Sequence, residues 1–394
     1  MMSEKWLYFF NILVSRWVNA LGPGGLRYSL RPSTQINSAS DRSKGEGGEM
    51  PKLPIKSILV VKWDEIGDMA AAVNVFGTLK SAYPEAELHV LCKPFVSTLI
   101  AGDPAIDQVI TNIEDWQQRY DVVVELRGTW QTLRKSFSLR TMPKYRVDRG
   151  CVRFLQRGAQ PHEVVTNERI IRPLVGEGFP IAKRQLFPSE AEIAEAQRWS
   201  DLVLSSEFSN NEYSAEVDSA FPLAEAVSNK NATGYAILHT GARRELRRWP
   251  LERFVALSKW LLLEKNLISI WVGTAEEESQ LDEAFAMGAA GKKWVAPEGS
   301  SLLSFYAFIA SSKLYVGNES GPLQLADIAE VPLVAIYGPG VPDVFYPHSA
   351  RSRVLHEVLD CNPCDQIHCV RPSDRCIDRI SLASVQLAAS EVLA

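Results

Sequence analysis

The feature that most constrains this chain is a regular alternation of short apolar segments with helix-patterned ones, run twice. From residue 57 onward, SILVVKW, AELHVLCK, QVITNI, DVVVEL and KYRVDR are short, apolar and bounded by turn or helix signals, as buried strands are. Helical pieces such as DMAAAVNVFGTLKSAY and WQTLRKSFSL lie between them. A polar, irregular stretch at 205–232 interrupts the pattern, which restarts with YAILHTG, LISIWVG, KKWVAP, KLYVGN and PLVAIYG as strands. LERFVALSKWLLLEKN, EEESQLDEAFAMGAA, SLLSFYAFIASS and PLQLADIAE read as the intervening helices; in the first, Leu251, Phe254, Val255, Leu261 and Leu262 share one stripe. Such alternation implies parallel sheets covered by helices on both faces.

At 394 residues the chain exceeds the roughly 250–300 at which a single core splits, so two domains are expected. The predicted organisation is an N-terminal amphipathic helix and polar linker at 1–52, a Rossmann-like domain at 53–204, a connection at 205–232, and a second Rossmann-like domain at 233–394 that ends in a cysteine cluster and a helix at 381–394. The fold class is α/β, with two doubly wound domains. Ligands of open parallel sheets bind beyond the carboxyl ends of the strands, so two facing domains predict a cleft between those ends.

A formal charge of −5 argues against a general nucleic-acid binder. Six cysteines are too few for a disulfide scaffold of this size and point to a reducing, cytoplasmic setting. No apolar run approaches the ~18 residues a spanning helix needs. Residues 5–21 nevertheless place Trp6, Phe9, Phe10, Leu13, Val14, Trp17, Val18 and Leu21 on one helical face, a pattern for peripheral contact with a membrane surface. A signal peptide, or a start of synthesis at Met50, are the competing readings of this segment.

Three stretches carry candidate chemistry. The loop after the first strand, WDEIGD, holds Asp64, Glu65 and Asp68 around one Gly67, where dinucleotide folds place phosphate-cradling glycines. HTGARRELRRWP follows a strand and contains Thr240, Arg247 and Arg248; arginines there can neutralise a departing diphosphate without a metal. VGNESGPLQLADIAE runs strand, loop, helix. Ser320 and Gly321 form its turn, Pro322 fits the first helical position, and the helix start offers free N–H groups to an anion. GTAEEESQ adds Glu276 and Glu277, either of which can accept hydrogen bonds from a ribose diol. A solvated basic loop and ordinary capped helices are the plain alternatives for these stretches.

In combination and order these motifs resemble glycosyltransferase family 9, the bacterial heptosyltransferases, from about residue 57 onward. The family's D-x-I-G-D loop corresponds to Asp64-Glu65-Ile66-Gly67-Asp68, and its basic-x-W-P ending to Arg247-Arg248-Trp249-Pro250. Its D-[ST]-G-x-x-H signature corresponds to Glu319-Ser320-Gly321-Pro322-Leu323-Gln324, followed by the Gly338-Pro339 turn. Many members also end with a C-x-P-C…C…C pattern, here Cys361, Cys364, Cys369 and Cys376. The resemblance implies a GT-B fold and an inverting transfer from a nucleotide sugar, typically ADP-heptose, to a lipid-linked or surface saccharide. No cofactor is required for that chemistry.

Asp68 is then the candidate general base. Thr240, Arg247, Arg248, Glu276 or Glu277, Glu319, Ser320, Gly321 and Gln324 are candidate donor contacts. Asp64 is expected to hold the loop by hydrogen bonds. The four cysteines are candidate ligands of a structural zinc or iron. Two positions depart from the family pattern. Glu319 stands where Asp is usual and reaches one methylene further. Gln324 stands where His is usual and cannot be charged near neutral pH, which shifts diphosphate neutralisation onto the arginines and the helix start. The other functional readings are a non-catalytic nucleotide-sugar-binding protein and a GT-B nucleotide-sugar epimerase.

Overall fold

The computed structural model describes residues 55–148, 161–205, 233–340, 342–362, 364 and 366–394. The segment 5–21, expected from its sequence to contact a membrane, and nearly all of the connection 205–232 lie outside the described residues. The chain divides into two compact units, one ending at Arg184 and the other beginning at Gln185.

The first unit runs β1 (Ser57–Lys62), α1 (Ile66–Ala70), α2 (Val73–Ala82), β2 (Glu87–Cys92), α3 (Pro94–Ser97), β3 (Gln108–Ile110), β4 (Val122–Arg127), α4 (Trp130–Phe137), β5 (Tyr145–Asp148) and α5 (Glu163–Val175). Its five strands form a parallel sheet in the order β3-β2-β1-β4-β5. Leu59, Val61, Leu91, Ile110, Trp116, Tyr120 and Val123 pack as one cluster. The strands read as continuous apolar runs because both faces of a parallel sheet are covered.

The helix predicted from Asp68 to Tyr83 is broken at Ala71-Ala72 into α1 and α2. Helix α5 braces that break. Asn167 Nδ2 donates to the freed carbonyl of Ala71 at 2.9 Å, and Asn74 Nδ2 donates to Glu168 Oε1 at 2.9 Å. A buried carbonyl left without such a donor would cost about 1–3 kcal/mol.

The second unit runs α6 (Glu190–Leu204), β6 (Gly234–His239), α7 (Leu251–Lys265), β7 (Leu267–Gly273), α8 (Glu278–Ala286), β8 (Lys292–Val295), α9 (Leu302–Ala310), β9 (Leu314–Asn318), α10 (Gly321–Ile328), β10 (Leu333–Tyr337), α11 (Pro342–Phe345), β11 (Ser352–His356) and α12 (Leu382–Leu393). The six strands form a parallel sheet in the order β11-β10-β9-β6-β7-β8. On α7, Phe254, Val255, Leu257 and Leu261 are buried, whereas Leu251 and Leu262 are only half-buried.

Helix α6 corrects the expected boundary at 204, because it packs within the second unit. Its Trp199 ring lies against Trp294 and Phe308, Ser200 Oγ meets Tyr235 at 3.0 Å, and Glu195 accepts from Ser304 at 2.5 Å.

Candidate active site

Each sheet has a switch point where the strand order reverses, the place where open α/β sheets bind ligands. In the first unit it lies between β1 and β4, in the second between β6 and β9.

Strand β1 is buried and apolar from Ile58 through Val61, then ends in Lys62, whose side chain has no solvent exposure. A register shift between Val61 and Lys62 brings Lys62 opposite Arg127 at the end of β4. Lys62 Nζ lies 3.2 Å from Glu163 Oε1 and 3.5 Å from Asp64 Oδ2. Arg127 Nη1 lies 3.3 Å from the same Asp64 oxygen and 3.7 Å from Asp68 Oδ1.

Asp64 therefore differs from its expected role. Its Oδ2 has no hydrogen-bond partner, and it holds the loop through two cations instead. Asp68 sits in the middle of the short helix α1. Burial pushes its carboxyl up to about 6; Lys62 and Arg127 pull it down, while Asp64 and Glu163 push it further up. A carboxylate titrating there is suited to accept a proton near neutral pH. Glu65 points to other work, pairing with Lys93 at 2.7 Å.

The second switch point gathers most of the remaining predicted residues. Ser320 precedes α10 without capping it; its hydroxyl lies 3.2 Å from His239 Nδ1 at the end of β6. His239 Nε2 lies 3.8 Å from Glu277 Oε2, and burial holds the imidazole below its ordinary value against the opposing Glu277 charge. Glu277 lies so close to Gly241 that a Cβ there would collide with its carboxylate, whereas Glu276 is exposed. The structure thus places Glu277, and not Glu276, beside the strand ends. Thr240 is buried, with its carbonyl accepting from Asn318 Nδ2 at 2.8 Å.

Arg247 Nη1 lies 3.1 Å from Glu319 Oε1, and Arg247 Nε donates to Gln366 Oε1 at 2.7 Å. Burial pushes the Glu319 carboxyl up, opposed by Arg247, and among the described residues its Oε2 has no hydrogen-bond partner. Arg248 donates from Nε to the Ala242 carbonyl at 3.1 Å. Gly321 opens α10. Gln324 is spent elsewhere: it is buried, and Nε2 donates to the Phe345 carbonyl at 2.8 Å.

Cys361, Cys364, Cys369 and Cys376 line one small cavity as free thiols. Among the described residues no group of three or more His, Cys, Asp or Glu side chains is arranged to hold a metal ion.

Sequence reasoning missed Lys62, Arg127, Glu163, His239 and Gln366. Only Lys62 left a signal, a cation at the end of an apolar strand.

Two parallel α/β units with polar clusters at their switch points define the class of doubly wound proteins whose ligands bind beyond the strand ends. The comparisons make this specific: residues 116–373 match glycosyltransferase family 9 (heptosyltransferase), and the chain belongs to that family. It is therefore a glycosyltransferase of GT-B fold. It is 26% identical over 326 residues to lipopolysaccharide heptosyltransferase 2 of Salmonella typhimurium, spanning 76% of this chain and 87% of that one. Its fold matches a family 9 glycosyl transferase from Veillonella parvula with a TM-score of 0.67, at 17% identity, covering 86% of this chain and 97% of the other. An E. coli ADP-heptose LPS heptosyltransferase II matches with a TM-score of 0.62 at 20% identity, covering 86% and 98%.

Proposed function

We propose that this chain is an inverting, metal-independent heptosyltransferase that moves a heptose from ADP-heptose to a saccharide acceptor of the lipopolysaccharide core. The observation that carries the reading is Asp68, a half-buried carboxylate at the β1/β4 switch point whose proton affinity is raised into the range of a working base. The names of its relatives support the donor and the acceptor class.

Asp68 takes the proton from an acceptor hydroxyl as that oxygen attacks the anomeric carbon. The bond from that carbon to the nucleoside diphosphate breaks, and the diphosphate leaves with the electron pair. A positioned base typically contributes ~10²–10⁴-fold to such a step. The second unit holds the donor. Arg247 and Arg248 neutralise the diphosphate, the start of α10 at Ser320 and Gly321 supplies N–H groups, Glu277 accepts from the ribose, and Glu319 faces the sugar. Arg247 must then share its charge between Glu319 and the diphosphate. Residues 5–21 attach the protein to the cytoplasmic membrane surface, where a lipid-linked acceptor is concentrated.

A thermal-shift panel of nucleotide sugars followed by a transfer assay tests the reading, because a ligand stabilises the native state it binds. ADP-heptose is expected to raise Tm most and to yield a product with inverted anomeric configuration. Epimerised donor without an acceptor, or binding with no turnover at any acceptor, would overturn it. Equal liposome binding by the full chain and by a chain starting at Met50 removes the membrane contact.

A further inference from the structure

The ionised groups at the first switch point form an alternating chain, Glu163–Lys62–Asp64–Arg127–Asp68. Its successive gaps are 3.2, 3.5, 3.3 and 3.7 Å. Among the described residues, two cations and three carboxylates alternate along it. The chain has a buried end and an open one. Glu163 and Lys62 are fully enclosed, while Asp68 keeps some exposure and has the longest gap to its cation. Taking each buried ion out of water costs several kcal/mol, and a lysine at this point in an apolar strand is a costly way to end it. Packing alone would be served by methionine.

We propose that Lys62 and Glu163 are positioning residues for Asp68. Glu163 draws Lys62 away from the Asp64 and Asp68 carboxylates, so Lys62 does not fully offset the negative charge of Asp68. This inference rests on the assignment of Asp68 as the base.

The physical consequence follows from the sign of each neighbour. Lys62 stabilises the Asp68 carboxylate and Glu163 opposes it, which is also the direction in which each acts on Asp68. With Lys62 unopposed, Asp68 would become a weaker base. With Glu163 unopposed, it would hold its proton near neutral pH. The groups facing Asp68 are Lys62 from β1, Asp64 from the loop, Arg127 from β4 and Glu163 from α5. Helix α5 is fixed independently of this pair by the Asn167 and Glu168 contacts, so it keeps its place when Glu163 is changed.

The test is a carboxyl-carbon NMR titration of the full chain labelled at aspartate, with the Asp68 signal identified by its loss in Asp68→Asn. The pH profile of kcat/KM runs in parallel. Glu163→Gln, which can still accept from Lys62, is expected to lower the Asp68 midpoint by about half a unit or more, and Glu163→Asp to restore it. Lys62→Met is expected to raise it by more, because Lys62 is the strongest charged influence on Asp68. The double variant Lys62→Met/Glu163→Gln removes opposed charges together and is expected to fall between the two single variants.

Single variants that lose rate evenly at all pH values, with the midpoint moving less than about 0.2 units, would show a merely structural role. Should one single variant fail to fold, the other is compared with the double variant: a double-variant midpoint no higher than that of Glu163→Gln, or no lower than that of Lys62→Met, overturns the account of opposed charges. If Asp68→Asn keeps its turnover while the NMR midpoints move as expected, the base assignment has failed and the charge coupling stands.

Discussion

The two switch points use one scaffold and different electrostatics. Between β1 and β4 the strand ends meet three carboxylates alternating with two cations. Between β6 and β9 the same topology presents Arg247 against Glu319, a neutral-leaning His239 against Glu277, and the start of α10. A parallel sheet brings loops together at one edge but does not choose their chemistry. On the proposed function, the contrast separates a proton-accepting half around Asp68 from an anion-holding half around the arginines and the start of α10.

The comparison breaks most visibly at Asp68. Asp68→Asn is expected to lower kcat by ~10²–10⁴-fold while leaving the donor Kd unchanged. Steady-state kinetics beside donor titration checks this, and retention of more than about a third of wild-type turnover rejects the base assignment. Stability should move the other way. A carboxyl raised from 3.8 to about 6 binds its proton more tightly in the folded state, so stability is lost as pH rises through about 6. Asn removes that cost, and its Tm at pH 8 should exceed wild type by an amount corresponding to about 1–3 kcal/mol.

On the anion-holding side, Arg247→Gln should raise the donor KM with a smaller change in kcat. One charge-assisted hydrogen bond is worth about 1.5–3 kcal/mol, or roughly 10–150-fold. A loss confined to kcat would place Arg247 in the transition state alone and blur the division of labour.

The acidic limb of kcat/KM sharpens the contrast further. It should fall about tenfold per pH unit below pH about 6, as Asp68 takes up its proton. ADP affinity, measured separately, should not follow that limb. Asp64→Asn should lower stability and raise the acceptor KM, with a smaller effect on kcat than Asp68→Asn, because Asp64 sits between two cations that would lose their shared partner. Smallest of all, chelator treatment should change turnover by less than about twofold, since no metal stabilises the leaving group in this scheme.

The strands were legible because a sheet covered on both faces writes itself as apolar runs. LISIWVG was bounded to the residue, as Leu267–Gly273. The strand SRVLH was not read, because β11 is an edge strand with exposed positions and no apolar run. Helix α5 was also missed. Its sequence EVVTNERIIRPLV mixes polar residues with an internal Pro173, yet it carries Glu163 and Asn167 into the heart of the first switch point. The site shows the same divide. Motif residues such as Asp68 and Ser320 could be named from spacing, but Lys62, His239 and Gln366 act through partners 101, 81 and 119 residues away. Local pattern holds no record of such pairings. Glu276 and Glu277 were indistinguishable for a related reason, since one residue of register decides which carboxylate turns toward Gly241. Helix α6 was assigned to the wrong unit because the polar gap that follows it looked like the boundary.

The arginine loop has a further consequence, in the order of synthesis. Arg247 is held by Gln366, the Trp249 indole donates to the Ile380 carbonyl, and Arg253 donates to the carbonyls of Asp378 and Ile380. These partners leave the ribosome 119 to 131 residues after the loop they secure. At ~5–20 residues per second the loop waits on the order of ten seconds before Gln366, Asp378 and Ile380 are made. On the proposed function, the donor site is then completed only late in synthesis, once the chain has passed residue 380.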